Sequence, residues 1–85
     1  MYTGKNRRAV CSAVAHILRQ ERQKRGLSLA AVAARAGLSY QMVGFVEKEM
    51  RNPTLDTLLR IAAALEIDLA EIICQAQSPA KNKSK

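Results

Sequence analysis

The stretch SLAAVAARAGLSYQMVGFVE, residues 28–47, decides the fold of this chain. An apolar residue recurs every three or four positions up to Ala36, and Gly37 follows where a helix can end in a left-handed residue. Ser39 is placed to cap a second helix that has one apolar side. Two short helices joined by so tight a turn predict a helix-turn-helix unit. The inward positions are Val32, Ala33 and Ala36 in the first of these helices and Val43 and Val46 in the second.

Five helices are predicted along the chain, and the few Gly and Pro residues at their edges favour an all-α fold. The predicted helices cover Ala9–Arg25, Ser28–Ala36, Ser39–Lys48, a stretch capped by Thr54 that ends at Leu65, and a stretch capped by Asp68 that ends near Gln75. On the fourth helix the residues expected to face inward are Leu55, Leu58, Leu59, Ala62 and Leu65. The predicted domain spans residues 9–76, with its helix-turn-helix unit at 28–47, between a flexible basic arm at 1–8 and a disordered Lys-rich tail at 77–85.

The chain has a formal net charge of +7, and most of the excess lies near its two ends. Lys5, Arg7 and Arg8 precede the first predicted helix, and Lys81, Lys83 and Lys85 lie in the last five residues. Between them, the first half is basic and the second half is acidic. This asymmetry suits a protein with one face toward phosphate, while charged ends can also serve solubility alone. A chain of this size buries a modest core, which favours a partner subunit.

A set of residues in the first to fourth predicted helices, taken in their order and spacing, resembles the Cro/C1-type helix-turn-helix family of phage repressors and restriction-modification controller proteins. The resemblance covers roughly residues 14–73 and rests on many spaced positions rather than on one diagnostic residue. It implies a compact five-helix lambda-repressor-like domain that binds double-stranded DNA. The matching residues are Arg22, Gly26-Leu27-Ser28, Val32-Ala33, Ala36-Gly37-Leu38-Ser39, Val43, Val46-Glu47, Asn52-Pro53, Leu58, Ile61-Ala62 and Ala64-Leu65.

The second helix of the unit is the expected recognition helix, which lies in a DNA major groove. Gln41 has the clearest role, because its amide can pair bidentately with adenine N6 and N7. Phe45 has two interpretations: it contacts a thymine methyl, or it folds back on the loop after the helix. Gly44 weakens a helix, and the two explanations are a close approach of the backbone to DNA and sequence drift. The expected base-reading residues are Tyr40, Gln41, Gly44, Phe45 and Lys48.

Phosphate contacts are expected from basic side chains beside the groove and from N–H groups at helix N-termini. The expected set is Arg19, Ser28, Leu29, Arg35, Arg51, Asn52 and Thr54. The family pattern also implies an ion pair between Arg22 and Glu47 that orients the recognition helix. Departures from the family's usual pattern include Leu29 in place of a phosphate-holding Gln, Glu21 in place of Leu or Ile, and Glu49 in place of Gly.

These expectations combine into a sequence-specific transcriptional regulator that binds a palindromic operator as a homodimer. The expected dimer interface, at the fifth helix and the end of the fourth, consists of Ile67, Leu69, Ile73 and Cys74. The alternative is a protein–protein interaction module of antitoxin or adaptor type. It is favoured by Tyr40, Met42 and Phe45, which make the recognition face more apolar than that of most DNA-binding proteins.

No residue pattern indicates an enzyme, a cofactor or a metal site. His16 stands alone, and Cys11 and Cys74 do not form a metal-binding pair. Both cysteines are expected as free, buried thiols, with a disulfide as the alternative. No signal peptide and no membrane-spanning run is recognised, so the expected location is the cytoplasm, in association with the nucleoid. Neither a membrane nor a small-molecule ligand is an expected partner.

Overall fold

The computed structural model describes residues 7–78, which form five α-helices and no strand. The helices are α1 (Arg7–Lys24), α2 (Leu29–Ala36), α3 (Tyr40–Glu47), α4 (Leu55–Ala64) and α5 (Leu69–Ala76). The all-α class and the order of the helices are confirmed, and each boundary lies within two residues of the expected one. Most of the predicted arm and tail, residues 1–6 and 79–85, lies outside the described residues.

Each helix from α2 to α5 begins after a polar side chain that caps its first turn. The hydroxyl oxygens of Ser28, Ser39 and Thr54 accept the N–H group three residues further on, at 3.0, 3.0 and 3.1 Å. The Asp68 carboxylate accepts the N–H of Ala70 at 3.2 Å. These bonds satisfy N–H groups that have no partner within the helix. The three predicted caps, Ser39, Thr54 and Asp68, are therefore confirmed, and Ser28, which was expected inside its helix, is a fourth cap.

The first helix begins at Arg7, two residues before its expected start. Arg7 and Arg8 are exposed residues of the first helical turn and do not belong to an unstructured arm. The reason is local: neither Gly nor Pro separates these arginines from the apolar stretch that follows, so nothing ends the helix earlier. Both guanidinium groups are consequently carried by a rigid element.

An intrahelical charge cluster marks the other end of α1. The Glu21 carboxylate accepts a hydrogen bond from Arg25 and lies 3.4 Å from Nζ of Lys24. The bond from Arg25 is the main reason that the pKa of Glu21 lies below its ordinary value. Glu21 therefore pairs with residues three and four positions further along the chain, the spacings at which charged side chains at a helix surface meet.

The core lies where the five helices meet. Helix α1 packs against α3 and α5, α2 packs against α3 and α4, and α4 packs against α5. The largest fully buried side chains are those of Leu18, Val32, Val43, Ile61, Leu65 and Ile72. Leu55 and Leu59 were expected to face inward, but they are 63% and 50% exposed. The buried side of α4 is centred on Ile61 and Leu65, and helical spacing places Leu55 and Leu59 on its flank.

The two helices of the central unit are bent by 113° at the turn between them. Gly37 makes this turn possible with a left-handed φ of 72°, and the N–H of Leu38 donates to the Ala33 carbonyl at 3.0 Å. The bend lets the side chain at the start of α2 cover the middle of α3: a Cβ built on Gly44 would lie 3.7 Å from Cδ1 of Leu29. Among the described helices none is by itself long and apolar enough to cross a membrane, and α2 and α3 meet that criterion only when taken together.

We expect the same substitution to have opposite effects at the two glycines of this unit. Gly44→Ala should raise the free energy of unfolding by about 1 kcal/mol, because Gly44 is helical and its new methyl would make an ordinary contact with Leu29. Gly37→Ala should lower it by about 1–2 kcal/mol, because alanine is strained at a left-handed φ. The new Cβ would also lie 3.2 Å from Nη1 of Arg60. Urea denaturation followed by circular dichroism measures both, and a loss of stability in Gly44→Ala would contradict the packing described for α2 and α3.

Candidate nucleic-acid interface

One side of α3 points away from the core. Gln41, Phe45 and Lys48 follow one another at four and three residues, so they lie on the same side of the helix. Gln41 and Lys48 are exposed, Phe45 is half-buried, and Tyr40 is exposed in the first turn. Four of the five expected base-reading residues are therefore accessible together. Their contact with bases stays a prediction.

The fifth expected base-reading residue, Gly44, is buried and faces α2. Its assignment is wrong, because the Leu29 side chain covers the position through which DNA would have to approach. A methyl group at position 44 would make only an ordinary contact with Leu29, so the packing of α2 on α3 does not require glycine here. Met42 is also withdrawn from the surface, since it is partly buried and packs against the core.

A part-buried ion pair joins the end of α1 to the end of α3. Nε of Arg22 donates to Oε2 of Glu47 at 2.7 Å, and Nη2 donates to Oε1 at 3.0 Å, which makes the pair bidentate. The third guanidinium nitrogen, Nη1, donates to the Leu27 carbonyl at 2.9 Å. The two side chains are only 14% and 8% exposed. The predicted pair is confirmed, and the hydrogen bond to Glu47 raises the pKa of Arg22 above its ordinary value.

The first turns of α2 and α4 carry the N–H groups on which the phosphate prediction rests. Ser28 and Thr54 are the exposed caps of α2 and α4. In the first turn of each helix, several N–H groups have no carbonyl partner within the helix. Arg51 and Asn52 are exposed in the loop between α3 and α4, and Arg19 is exposed on α1. Phosphate binding by Arg19, Ser28, Leu29, Arg51, Asn52 and Thr54 stays a prediction.

Arg35 has a different environment from the one expected of a phosphate contact. Its Nη1 lies 3.5 Å from the carbonyl oxygen of Ala64, which is the last residue of α4. In return, Nη1 of Arg60 donates to the Ala36 carbonyl at the end of α2, at 3.3 Å, while its Nε pairs with Asp56 at 2.9 Å. The two guanidinium groups each approach the C-terminal carbonyls of the other helix, where cations are favoured. We therefore assign Arg35 to the packing of α2 on α4.

Sequence reasoning missed a groove of about 710 Å³ beside the recognition helix. Val10, Val14, Leu58 and Ile73 contribute apolar lining. The groove is also lined by Arg7 and Arg8 of α1 and by Arg51 and Asn52 of the loop after α3. Only the early start of α1 places Arg7 and Arg8 there, and the sequence carried no signal for it beyond the absence of a helix breaker. The positive charges of the first turn of α1 and of the loop after α3 therefore line the same groove.

Arg51 lies against the recognition helix. Its guanidinium carbon is 5.3 Å from the centroid of the Phe45 ring, which is within the range of a cation–π interaction. The second interpretation of Phe45, a fold-back onto the loop, is consistent with this contact and with the half-burial of the ring. The first interpretation is consistent with it too, because part of the ring is accessible.

The expected dimer residues have unequal exposure. Leu69 is 6% exposed and belongs to the core of its own domain, so its assignment to the interface is wrong. Ile67 and Ile73 are half-buried and pack on that core, whereas Cys74 is exposed. The correction has a simple cause: α5 is short and needs Leu69 together with Ile72 to hold it on α1 and α4.

The two cysteines are free, as expected, but Cys11 and Cys74 are both exposed rather than buried. Within residues 7–78, no three His, Cys, Asp or Glu side chains come together in a way that could hold a metal ion. His16 is exposed on α1.

The sequence and the fold both match known proteins. The HTH_3 family, described as Helix-turn-helix, matches residues 18–72. The HTH-type transcriptional regulator SutR of Escherichia coli (strain K12) is 39% identical over 61 residues, 72% of this chain and 34% of SutR. An uncharacterized HTH-type transcriptional regulator, y4dJ of Sinorhizobium fredii, is 38% identical over 52 residues, 61% of this chain and 68% of the relative. The chain thus spans about a third of the length of SutR.

Solved structures share the architecture. The restriction-modification controller protein C.AhdI from Aeromonas hydrophila is 35% identical, with a TM-score of 0.69 over 74% of this chain and 94% of C.AhdI. A point mutant of the restriction-modification controller protein C.Esp1396I has a TM-score of 0.77 at 19% identity, over 88% of this chain and 97% of its own. The second similarity is one of fold alone. The expected lambda-repressor-like arrangement of five helices is confirmed.

We expect the Arg22–Glu47 pair to be worth far more than an exposed pair of the same kind. Glu47→Ala should lower the free energy of unfolding by about 3 kcal/mol, because it leaves a part-buried guanidinium without its bidentate partner. Asp56→Ala is the matched control: it removes a carboxylate from Arg60 in a pair that is 49% and 74% exposed, and should cost less than about 1 kcal/mol. Equal losses in urea denaturation of the two variants would contradict this assignment.

Proposed function

The chain belongs to the HTH_3 helix-turn-helix family, and from that premise we propose that it is a sequence-specific DNA-binding transcriptional regulator. The curated relatives are described as HTH-type transcriptional regulators, and the structural neighbours as restriction-modification controller proteins. A regulator of this kind acts where the DNA is, so we place it in the cytoplasm, in association with the nucleoid. No enzymatic activity is part of the proposal.

The observation that carries the proposal is the accessible side of α3, in a unit bent by 113°. An α-helix fits the major groove of B-DNA, and helix-turn-helix units present the second helix to it. Gln41 and Lys48 offer hydrogen-bond donors there, and the Gln41 amide also offers an acceptor. An amide with this pair of groups can recognise adenine, whereas Lys48 favours guanine O6 and N7.

The surroundings of α3 supply the binding energy that does not depend on sequence. The capped first turns of α2 and α4 carry N–H groups suited to an anion, and Arg51 with Arg7 and Arg8 adds positive charge at one edge. Contacts of this type fix the orientation of a protein on the duplex without reading bases. Asp56 in the first turn of α4 opposes them, but it is paired with Arg60.

We further propose that two copies bind a palindromic operator as a homodimer. Leu55 and Leu59 are exposed and lie one helical turn apart on α4, so they add an apolar stripe to the expected interface. Together with Ile67, Ile73 and Cys74 they replace the set that included Leu69. A two-fold axis at this surface would set two recognition helices about one DNA turn apart, ~34 Å.

The alternative function is a protein-interaction module that uses the same side of α3. The exposed Tyr40 and Met50 favour it, because aromatic residues and Met are enriched in protein interfaces. Met42, which would have enlarged that apolar surface, is partly buried. The dependence of binding on salt separates the two functions, since phosphate contacts release counterions and an apolar interface does not.

The direct test is selection of bound sequences from a pool of random duplex DNA by the full chain. We expect enrichment of a palindrome with half-sites about one turn apart. Gln41→Ala should reduce the preference for adenine at one position of each half-site, because the bidentate amide is lost. Gln20→Ala, which removes the same side chain from an exposed position on α1, should leave the enriched sequence unchanged.

Titrations of the enriched duplex at increasing salt complete the test. Binding through six or more phosphates should weaken on the order of 10³-fold between 50 and 200 mM salt. Failure to enrich any sequence, together with binding of a protein partner that salt does not weaken, would favour the interaction module instead.

The homodimer is tested separately from DNA binding. Leu59→Glu should convert a dimer into a monomer in sedimentation analysis, because the two-fold axis brings the new carboxylate near its own copy. Gln20→Glu introduces the same charge on the exposed side of α1 and should remain dimeric. A wild-type chain that stays monomeric at micromolar concentration and binds single half-sites would contradict the homodimer.

A further inference from the structure

Phe45 and Arg51 form a contact that the proposed function leaves without a role. Phe45 lies on the outward side of α3 between Gln41 and Lys48, where an aromatic ring adds no hydrogen bond to base recognition. Arg51 reaches this ring from the loop and stops 5.3 Å from its centroid. Because each residue belongs to the side expected to meet DNA, their contact couples a base-facing side chain to a phosphate-facing one.

The end of α3 explains how Arg51 arrives there. The helix ends at Glu47, and Glu49 takes a left-handed φ of 61°. The N–H of Met50 then donates to the Phe45 carbonyl at 2.9 Å, which closes a Schellman-type turn. The chain is thereby folded back over the last turn of the helix, and Arg51 follows directly. The strained backbone at Glu49 is part of what brings the guanidinium to the ring.

The charges around Arg51 favour the ring as its partner. Arg7 and Arg8 line the same groove and repel it, while Glu49 is the one acidic residue among the described residues that line this groove. No carboxylate within the described part of the chain forms an ion pair with Arg51. A guanidinium stacked on a ring keeps its edge N–H groups available, and the planar group does this better than an ammonium.

We propose that Arg51 is a specificity-determining positioning residue: it holds the Phe45 ring toward a thymine methyl while its own edge binds the neighbouring phosphate. This inference rests on the proposed function, since it requires DNA at this side of α3. It unites the two interpretations of Phe45, because the face of the ring that packs on Arg51 is covered and the remainder is free to contact the methyl. A thymine methyl is the apolar feature that the major groove offers to such a ring.

The test replaces single thymines of the enriched operator by deoxyuridine, which removes only the C5 methyl. For the wild-type chain we expect one thymine in each half-site at which this replacement weakens binding about four-fold, the factor for loss of one buried carbon group. Phe45→Ala should bind that operator and its deoxyuridine form equally well. This pair of results establishes which thymine lies at the ring.

The informative variant is Arg51→Lys, which keeps the charge and removes the planar group. We call the ratio of the dissociation constants for the deoxyuridine and thymine operators the methyl factor. In Arg51→Lys we expect it to fall about two-fold or more, consistent with the strength of an exposed cation–π contact, while the dependence of binding on salt stays the same. Arg51→Gln should no longer distinguish thymine from deoxyuridine. It should also reduce the slope of log affinity against log salt by the contribution of one phosphate contact. Arg25→Lys is the matched control, because Arg25 pairs with Glu21 and takes no part in the site.

Proton NMR of the free chain tests the contact itself without DNA. The Arg51 Nε–H resonance should lie upfield of its ordinary position because it is above a ring, and it should return to that position in Phe45→Leu. A methyl factor that is unchanged in Arg51→Lys would overturn the positioning role. An enriched operator with no methyl-sensitive thymine would overturn it as well, with DNA binding intact. The absence of any enriched operator would overturn the proposed function and this inference together.

Discussion

The orientation of the recognition helix depends on the ion pair between Arg22 and Glu47. One guanidinium makes hydrogen bonds to both carboxylate oxygens at the end of α3 and to the Leu27 carbonyl in the loop before α2. Two separate segments, the end of α3 and the loop before α2, are thereby fixed to the last turn of α1. Helix α3 has only eight residues, so packing by Val43 and Val46 alone leaves its rotation weakly defined. A bidentate pair has a single good geometry and removes that freedom.

Charge at helix ends determines the rest of the packing in a similar way. A carboxylate at the C-terminus of α3 is unfavourable by itself, because the end of a helix carries partial negative charge, and Arg22 compensates for it. Arg35 and Arg60 approach the last carbonyls of α4 and α2, so that each helix receives a cation from the other. The angle between α2 and α4 is held by these contacts as well as by the buried side chains between them. The small core is therefore supplemented by directional contacts.

The sequence was sufficient for the fold because the strongest signals are local. Caps, the glycine at position 37 and the apolar spacing of α2 and α3 act over a few residues, and all of them hold in the structure. Long-range placement was less accessible. Leu69 was expected at an interface but lies in the core. Leu55 and Leu59 were expected in the core but are exposed. Each helix offers apolar residues over more than its buried width, and only the packed neighbours decide which of them are covered.

The errors in the site have the same origin. Gly44 was assigned to DNA because a helical glycine demands an explanation, but position 44 faces Leu29 of α2, a contact between two helices that spacing alone does not reveal. The stacking of Arg51 on Phe45 depends on the φ of Glu49, a residue with no preference for the left-handed region. A glycine there would relieve strain and also widen the conformations open to the loop. The side chain of Glu49 costs stability at this turn and restricts the positions that Arg51 can reach. Backbone strain and base specificity at this end of α3 are therefore two consequences of one backbone conformation.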